Sequence, residues 1–195
     1  MKTGNTAYKA AIRLAIATGI ILLLPFIAMQ FTDEVVWDLA DFVAAGVLLF
    51  GTGLAYELMA RKGGTVAYRA AVGIALATVF LLVWVNGAVG IIGSENNDAN
   101  LMYFGVLAVG VIGAIIARLE PLGMARALFV TGLAQALVPF IALIIWKPTS
   151  WGAEGAFGVF ILNAFFVLLF VGSVWLFRNA AQQKTRSSLT LPQGE

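Results

Sequence analysis

The chain has 195 residues, of which 61% are hydrophobic and only 11% are charged, and its mean hydropathy is +0.95. A soluble domain carries about 25% charged residues, so this composition excludes an ordinary soluble protein and indicates a membrane protein. Histidine and cysteine are both absent, which excludes disulfides, thiol nucleophiles, thiolate metal sites and imidazole chemistry. The net charge of +2 is small and dispersed, so no nucleic-acid partner is expected.

Six long apolar segments, separated by short polar connections, dominate the chain. A helix rising ~1.5 Å per residue needs ~20 residues to cross ~30 Å of hydrocarbon, and each segment is long enough. None alternates apolar and polar residues as a barrel strand does, so the spans are predicted to be helices. The predicted spans are 8–30, 37–60, 67–92, 99–118, 123–146 and 153–178. We expect an all-α membrane protein in which 1–178 is a single six-helix domain and 179–195 is a polar, disordered cytoplasmic tail.

The basic residues predict the orientation of these spans. All twelve except Lys147 fall at the two termini or beside the connections that follow the second and fourth spans. Seven of the ten acidic residues fall on the opposite side. Because basic residues are retained on the cytoplasmic side, both termini are expected in the cytoplasm. No Ala-x-Ala site follows the first span, so we expect it to be retained rather than cleaved as a signal peptide.

An internal repeat indicates that the spans are built as hairpins. The segment 7–18 (AYKAAIRLAIAT) aligns with 67–78 (AYRAAVGIALAT), and seven of the twelve positions are identical. A unit of two spans returns the chain to the side where it started, so all copies share one orientation and inverted repeats are not the organising symmetry. The expected architecture is three tandem helical hairpins in the same orientation, at 7–60, 67–118 and 123–178.

Small residues at intervals of four indicate where helices pack closely. Lipid provides no hydrophobic drive for helix association, so close approach of backbones along small side chains is expected to stabilise the bundle. The two stripes are Ala7, Ala11, Ala15 and Gly19 in the first span, and Ala67, Ala71 and Ala75 in the third.

Two amide side chains are predicted near the middle of the membrane. Gln135 lies about twelve residues into the fifth helix and Asn163 about fifteen residues from the inner end of the sixth. In an antiparallel pair their depths differ by ~4.5 Å, which is within reach of a hydrogen bond. The favoured interpretation is a bond that holds two helices together, and the alternative is the lining of a polar permeation path.

A second group of polar residues is predicted at the outer surface. Carboxylate and amide oxygens are the ligands that a hard cation prefers, so these residues could form an outward-facing vestibule for a cation or solute. The favoured alternative is capping of free N–H groups and stabilisation of the helix dipole at the starts of the even-numbered helices, by Asp38, Asp41, Asp98, Asn100 and Glu154. The candidates are Asn86, Glu95, Asn96, Asp98, Asn100, Asp38 and Asp41, with Glu154 expected to act as a further cap.

The residues needed for intramembrane catalysis are missing from the sequence. Serine and zinc proteolysis in the membrane require histidine, and aspartyl proteolysis requires two aspartates in the middle of spans. We therefore predict no enzyme activity and no catalytic, metal or cofactor site.

At Val85–Glu95 (VNGAVGIIGSE) and Asn100–Tyr103 (NLMY) the chain resembles an uncharacterised family of small bacterial inner-membrane proteins. The resemblance implies six spans and a bacterial cytoplasmic membrane, and it implies no substrate.

Two functions remain open from the sequence. The first, slightly favoured, is transport or sensing of a small solute or cation, with Glu95, Asp98 and Asn86 at the mouth and Gln135 and Asn163 along the path. The second is a structural or accessory protein that packs against lipid, against partner subunits or against further copies of itself. A polar cavity that reaches the midplane would indicate transport, and a dry interior would indicate the accessory role.

Overall fold

The computed structural model describes residues 2–146, 151 and 155–190, and within these the side chains of 8–146, 151 and 155–188. Every regular element in these ranges is helical. The helices are α1 (Lys2–Ala28), α2 (Leu39–Ala60), α3 (Val66–Ala88), α4 (Met102–Ile116), α5 (Pro121–Ile145) and α6 (Gly155–Thr190), and a 3₁₀ turn at Asp98–Leu101 precedes α4. The chain divides into two compact units, Met1–Leu58 and Met59–Glu195.

The first unit is an antiparallel pair of helices. Leu14 packs against Gly53, Leu22 packs against Gly46, and the rings of Phe26 and Phe42 meet edge to face at 6.4 Å. A Cβ atom at position 53 would lie 2.7 Å from Leu14 Cδ2, so a larger residue there would require the leucine side chain to shift. α1 and α2 are therefore held by small-to-large contacts, as helices in lipid commonly are.

In the second unit, helices that are distant in sequence pack together. α6 lies between α3 and α5, and α4 packs on the other side of α5, while contact between α3 and α4 is slight. The small residues Ala71 and Ala75 of α3 are buried, and Ser173 Oγ of α6 donates a 2.8 Å hydrogen bond to the Ala71 carbonyl oxygen. The small stripe predicted in the third span therefore brings α3 against α6 rather than against the next helix in the chain.

Two apolar clusters form the interior of the second unit. One lies towards the α3–α4 connection and is built around Leu82, Ile92, Tyr103, Trp151 and Phe166. The other lies towards the α4–α5 turn and is built around Tyr68, Met124, Phe170 and Phe177. Burial of aromatic rings dominates both clusters, and the Tyr68 and Phe177 rings meet edge to face at 5.3 Å, the preferred geometry for such pairs.

Three helix ends differ from the sequence predictions by four residues or more. α1 begins at Lys2, before the predicted residue 8. α3 ends at Ala88, before the predicted residue 92, because Gly90 adopts a φ of +74° that no helix accommodates. α6 continues to Thr190, whereas the sequence predicted a disordered tail from residue 179. Ala180 is buried against the cluster around Tyr68 and Phe177, so tertiary packing extends the helix beyond the last apolar residues. Residues 191–195 lie outside the described part of the chain.

Candidate functional site

A network of three buried polar side chains joins α4, α5 and α6. Gln135 Nε2 donates to Asn163 Oδ1 at 2.9 Å, which is the hydrogen bond expected from the depth of the two residues. Asn163 Nδ2 donates to the Tyr103 hydroxyl at 3.0 Å and to the Val159 carbonyl oxygen at 2.8 Å. All three network residues are at most 1% exposed. Most of their polar groups therefore bond to one another within a packed interior.

One polar atom of this network has no partner. Gln135 Oε1 is buried and accepts no hydrogen bond from any described residue. Tyr103 was not singled out by the sequence analysis, because a tyrosine at the start of an apolar helix is more often an interfacial residue than a core donor. The signal in the sequence that could have found Tyr103 is its position three residues after Asn100, where a bulky side chain with a hydroxyl group stands in an otherwise apolar helix.

Asn100 organises the connection between α3 and α4. Its Oδ1 accepts from the backbone N–H groups of Ile91 (3.1 Å) and Ile92 (2.9 Å). Its Nδ2 donates to the carbonyl oxygens of Ile92 (3.3 Å) and Ser94 (2.7 Å). Asn100 is 4% exposed, so all its side-chain hydrogen-bonding capacity in this buried position is directed to the backbone of the connection.

Asn86 and Asn97 complete the same connection. Asn86 Nδ2 donates to the Asn100 carbonyl oxygen at 3.3 Å, while Asn86 Oδ1 has no hydrogen-bond partner among the described residues. Asn97 Oδ1 accepts from Ala99 N at 3.0 Å and caps the 3₁₀ turn. The cap is therefore Asn97, where the sequence analysis expected Asp98 and Asn100 to act as caps.

The remaining candidates of this connection are exposed. Asn96 Nδ2 donates to Glu95 Oε1 at 2.9 Å, and both side chains face away from the packed interior. Asp98 is exposed as the first residue of the 3₁₀ turn. The described residues contain no group of three or more histidine, cysteine, aspartate or glutamate side chains arranged to hold a metal ion.

Asp38 and Asp41 cap α2 in the first unit. Asp38 N donates to Asp41 Oδ2 and Asp41 N donates to Asp38 Oδ1, both at 2.9 Å. This reciprocal pair satisfies two free donors at the helix start, as a capping box does. The geometry is the capping arrangement that the sequence analysis favoured. Glu154, the corresponding candidate before α6, lies outside the described residues.

A hydrogen bond from α3 anchors the turn between α4 and α5. Arg118 and Leu119 adopt φ values of +49° and +62°, which cost free energy for residues other than glycine. The hydroxyl of Tyr68, on α3, donates to the Leu119 carbonyl oxygen at 2.8 Å. Glu120 follows and pairs with Lys184 Nζ of α6 at 2.8 Å. The ammonium of Lys184, with a smaller contribution from Lys62, lowers the pKa of Glu120, so this carboxylate is ionised at neutral pH.

Gly63→Ala is expected to lower the free energy of unfolding by about 1–3 kcal/mol, as overpacking of a close contact does. A Cβ atom at position 63 would overlap the ring of Tyr68, which is buried and bonded to Leu119. Gly64→Ala is the matched control, since no atom of the described residues, apart from the adjacent residues of the chain, lies within 4 Å of its added Cβ. Thermal unfolding in detergent micelles measures both variants, and equal stability of the two would contradict the described position of Tyr68.

These features define a multi-pass integral membrane protein. In the part of the chain that the structure describes, six helical stretches are long and apolar enough to cross a bilayer, and large apolar side chains are exposed along them as lipid contact requires. Comparison with protein-family models, curated proteins and solved structures finds no significant match. The family resemblance noted at Val85–Glu95 and Asn100–Tyr103 therefore stays a prediction.

Proposed function

We propose that the protein is a structural or accessory protein of the bacterial cytoplasmic membrane that packs against lipid or partner subunits. Its six spans would form three tandem hairpins of one orientation, with both termini in the cytoplasm. The distribution of basic residues supports this orientation, and the repeat at 7–18 and 67–78 supports the hairpin plan. The lack of histidine and cysteine supports a role without catalysis.

The observation that carries this proposal is the burial of the network formed by Gln135, Asn163 and Tyr103. A permeation path needs polar groups that exchange their partners for a passing solute. Asn163 instead bonds to Gln135, to Tyr103 and to its own helix, and it is 1% exposed. Interhelical hydrogen bonds of this kind stabilise membrane bundles without any role in transport.

The α3–α4 connection supports the same conclusion. The side chains of Asn86 and Asn100, which were candidates for an outer vestibule, are buried and bonded to backbone groups of the connection. Of the vestibule candidates in this connection, Glu95, Asn96 and Asp98 are exposed. An exposed polar loop at a membrane surface is expected in any multi-pass protein, so it adds no support for a binding site.

Transport of a small solute or cation is the second candidate function. One observation favours it: Gln135 Oε1 is buried and has no hydrogen-bond donor among the described residues. An unpaired carbonyl oxygen at this depth is able to accept a bond from a solute or coordinate a cation. The accessory and transport functions therefore differ in whether water reaches Gln135.

Cysteine labelling is expected to separate these functions. Because the chain contains no cysteine, single Gln135→Cys and Asn163→Cys variants give an unambiguous signal with a water-soluble thiol reagent. Val138→Cys is the matched control, since Val138 is 3% exposed and lies one turn from Gln135 on α5. We expect Gln135→Cys and Asn163→Cys to react as slowly as Val138→Cys, because a packed interior excludes the reagent.

Two exposed positions calibrate the labelling and test the orientation. Ser94→Cys is expected to react with an impermeant reagent in intact cells, and Gln182→Cys only after the cells are permeabilised. Faster reaction at Gln135→Cys than at Val138→Cys would show that water reaches position 135, and it would contradict the accessory role in favour of transport. Labelling of Gln182→Cys in intact cells would overturn the proposed orientation.

A further inference from the structure

A basic cavity of about 490 Å³ opens beside the α4–α5 turn. Its walls come from the segment before α3, the α4–α5 turn and the last turns of α6, all within the second unit. Three cationic side chains and one carboxylate line it: Lys62, Arg118, Lys184 and Glu120. We propose that this cavity binds the phosphate group of an anionic lipid headgroup. The choice of lipid rests on the proposed cytoplasmic position of this end of the bundle.

Of the three cations in the cavity, Lys62 and Arg118 are available to bind a phosphate. Glu120 bonds to Lys184, and its lowered pKa keeps it ionised, so one of the three cations is already neutralised. The guanidinium of Arg118 makes no hydrogen bond or ion pair with any residue in the described ranges. A guanidinium binds phosphate through two parallel N–H···O bonds, which makes Arg118 the principal ligand.

Backbone groups add to the positive potential of the same cavity. Gly63, Gly64 and Thr65 lead into α3, and Glu120 and Pro121 lead into α5, so two helix N-termini meet at the cavity. Thr65 Oγ1 caps Tyr68 N at 3.2 Å, and the N–H groups of Val66 and Ala67 have no acceptor within the helix. The partial positive charge of both helix ends favours an anion at this position.

The remaining walls of the cavity match a lipid better than a free phosphate. The Tyr68 ring, Leu119, Pro121 and Ala180 contribute apolar surface beside the cations. The cavity lies where the apolar spans α3 and α5 begin, and Val66 at that level is 83% exposed. The phosphate of the lipid headgroup would lie between the cations, while the acyl chains of the same lipid would run along the exposed apolar faces of the helices. Anionic lipids of the cytoplasmic leaflet are attracted to basic groups at this depth.

Lipid retention by the full-length protein tests this proposal. The protein is purified in a neutral detergent and titrated with phosphatidylglycerol, with phosphatidylcholine and, separately, with inorganic phosphate, and bound lipid is counted by native mass spectrometry. Arg118→Gln and Lys62→Gln are each expected to weaken phosphatidylglycerol binding by about tenfold, the loss of one charge-assisted contact. Arg69→Gln is the matched control, since Arg69 is exposed at the same end of α3 and does not line the cavity.

Glu120→Gln gives a prediction of opposite sign. Removing this carboxylate frees Lys184 and removes repulsion of the phosphate, so phosphatidylglycerol binding is expected to strengthen. A loss-of-function variant that merely unfolds the protein would not have this effect. Lys62 and Arg118 belong to separate segments, so a folding defect in one variant leaves the other as an independent test.

The outcomes separate the possible sources of the phosphate. Selective retention of phosphatidylglycerol that depends on Arg118 and Lys62 supports the proposal. Equal retention of phosphatidylcholine, or equal losses in Arg69→Gln, would overturn it. Binding of inorganic phosphate that depends on Arg118, without retention of phosphatidylglycerol, would overturn the lipid assignment in favour of a soluble phosphate. Cysteine labelling at Gln135 is independent of this cavity, so failure here and failure of the proposed function are distinguishable.

Discussion

Asn100→Ala is expected to lower the free energy of unfolding by about 2–4 kcal/mol, because each buried donor left without an acceptor costs about 1–3 kcal/mol and the costs are not fully additive. The substitution removes the acceptor of the Ile91 and Ile92 N–H groups, and both residues are buried. It also removes the donor to the carbonyl oxygens of Ile92 and Ser94. Denaturant unfolding in mixed micelles measures the loss.

Two further substitutions make this result specific. Asn96→Ala removes an exposed amide that bonds to the exposed side chain of Glu95, and its effect is expected to stay within about 0.5 kcal/mol. Asn100→Asp keeps acceptors for the two N–H groups but turns an oxygen towards the Ser94 carbonyl oxygen, so it is also expected to be destabilising. Equal stability of Asn100→Ala and Asn96→Ala would show that Asn100 does not organise the connection.

Asn163→Leu is expected to lower the free energy of unfolding by about 1–3 kcal/mol, since it leaves the partners of Asn163 buried and unpaired. Gln135 Nε2 loses its acceptor, and the Tyr103 hydroxyl loses both of its contacts with Asn163. The average interhelical hydrogen bond in a membrane bundle is worth only about 0.6 kcal/mol. The larger effect at Asn163 therefore comes from the unpaired groups rather than from the bonds themselves. Unfolding in mixed micelles measures it.

Replacing the whole network tests this explanation. The triple variant N163L/Q135L/Y103F removes every member and leaves no polar group unpaired, so it is expected to be more stable than Asn163→Leu alone. Ser173→Ala removes a single hydrogen bond to the Ala71 carbonyl oxygen and is expected to cost about 0.6 kcal/mol. A triple variant that is less stable than Asn163→Leu would show that these side chains contribute through packing.

The candidate site could be predicted in part. The depth of Gln135 and Asn163 could be counted along two apolar spans, and the hydrogen bond between them follows from that count. Tyr103 could not be found in this way, because its hydroxyl reaches Asn163 only through the packing of α4 on α5. The same holds for Asn100, whose partners at Ile91 and Ile92 depend on the path of the connection. The chemistry of a side chain can be read from the sequence, but the groups that it contacts depend on how the helices pack.

The basic cavity could not be predicted from the sequence either. Lys62, Arg118 and Lys184 were recognised only as residues that indicate orientation. They converge because α6 packs on α3 and continues as a helix beyond residue 178, whereas the sequence indicated a disordered tail there. Ala180, buried beside Phe177 and Tyr68, holds that extension, and no periodicity of the polar tail marks it.

The sequence by itself determined that this protein consists of long apolar helices and the approximate position of each along the chain, but not where α1 begins or where α3 and α6 end. The physical reason is that a bilayer leaves no backbone hydrogen bond unmade, so a long apolar run must be helical whatever its neighbours are. Only the tertiary structure decided which helices pack together. In lipid, association depends on shape and on a few polar contacts rather than on hydrophobicity. Ala71 therefore meets Ser173, more than a hundred residues away, instead of the next helix in the chain.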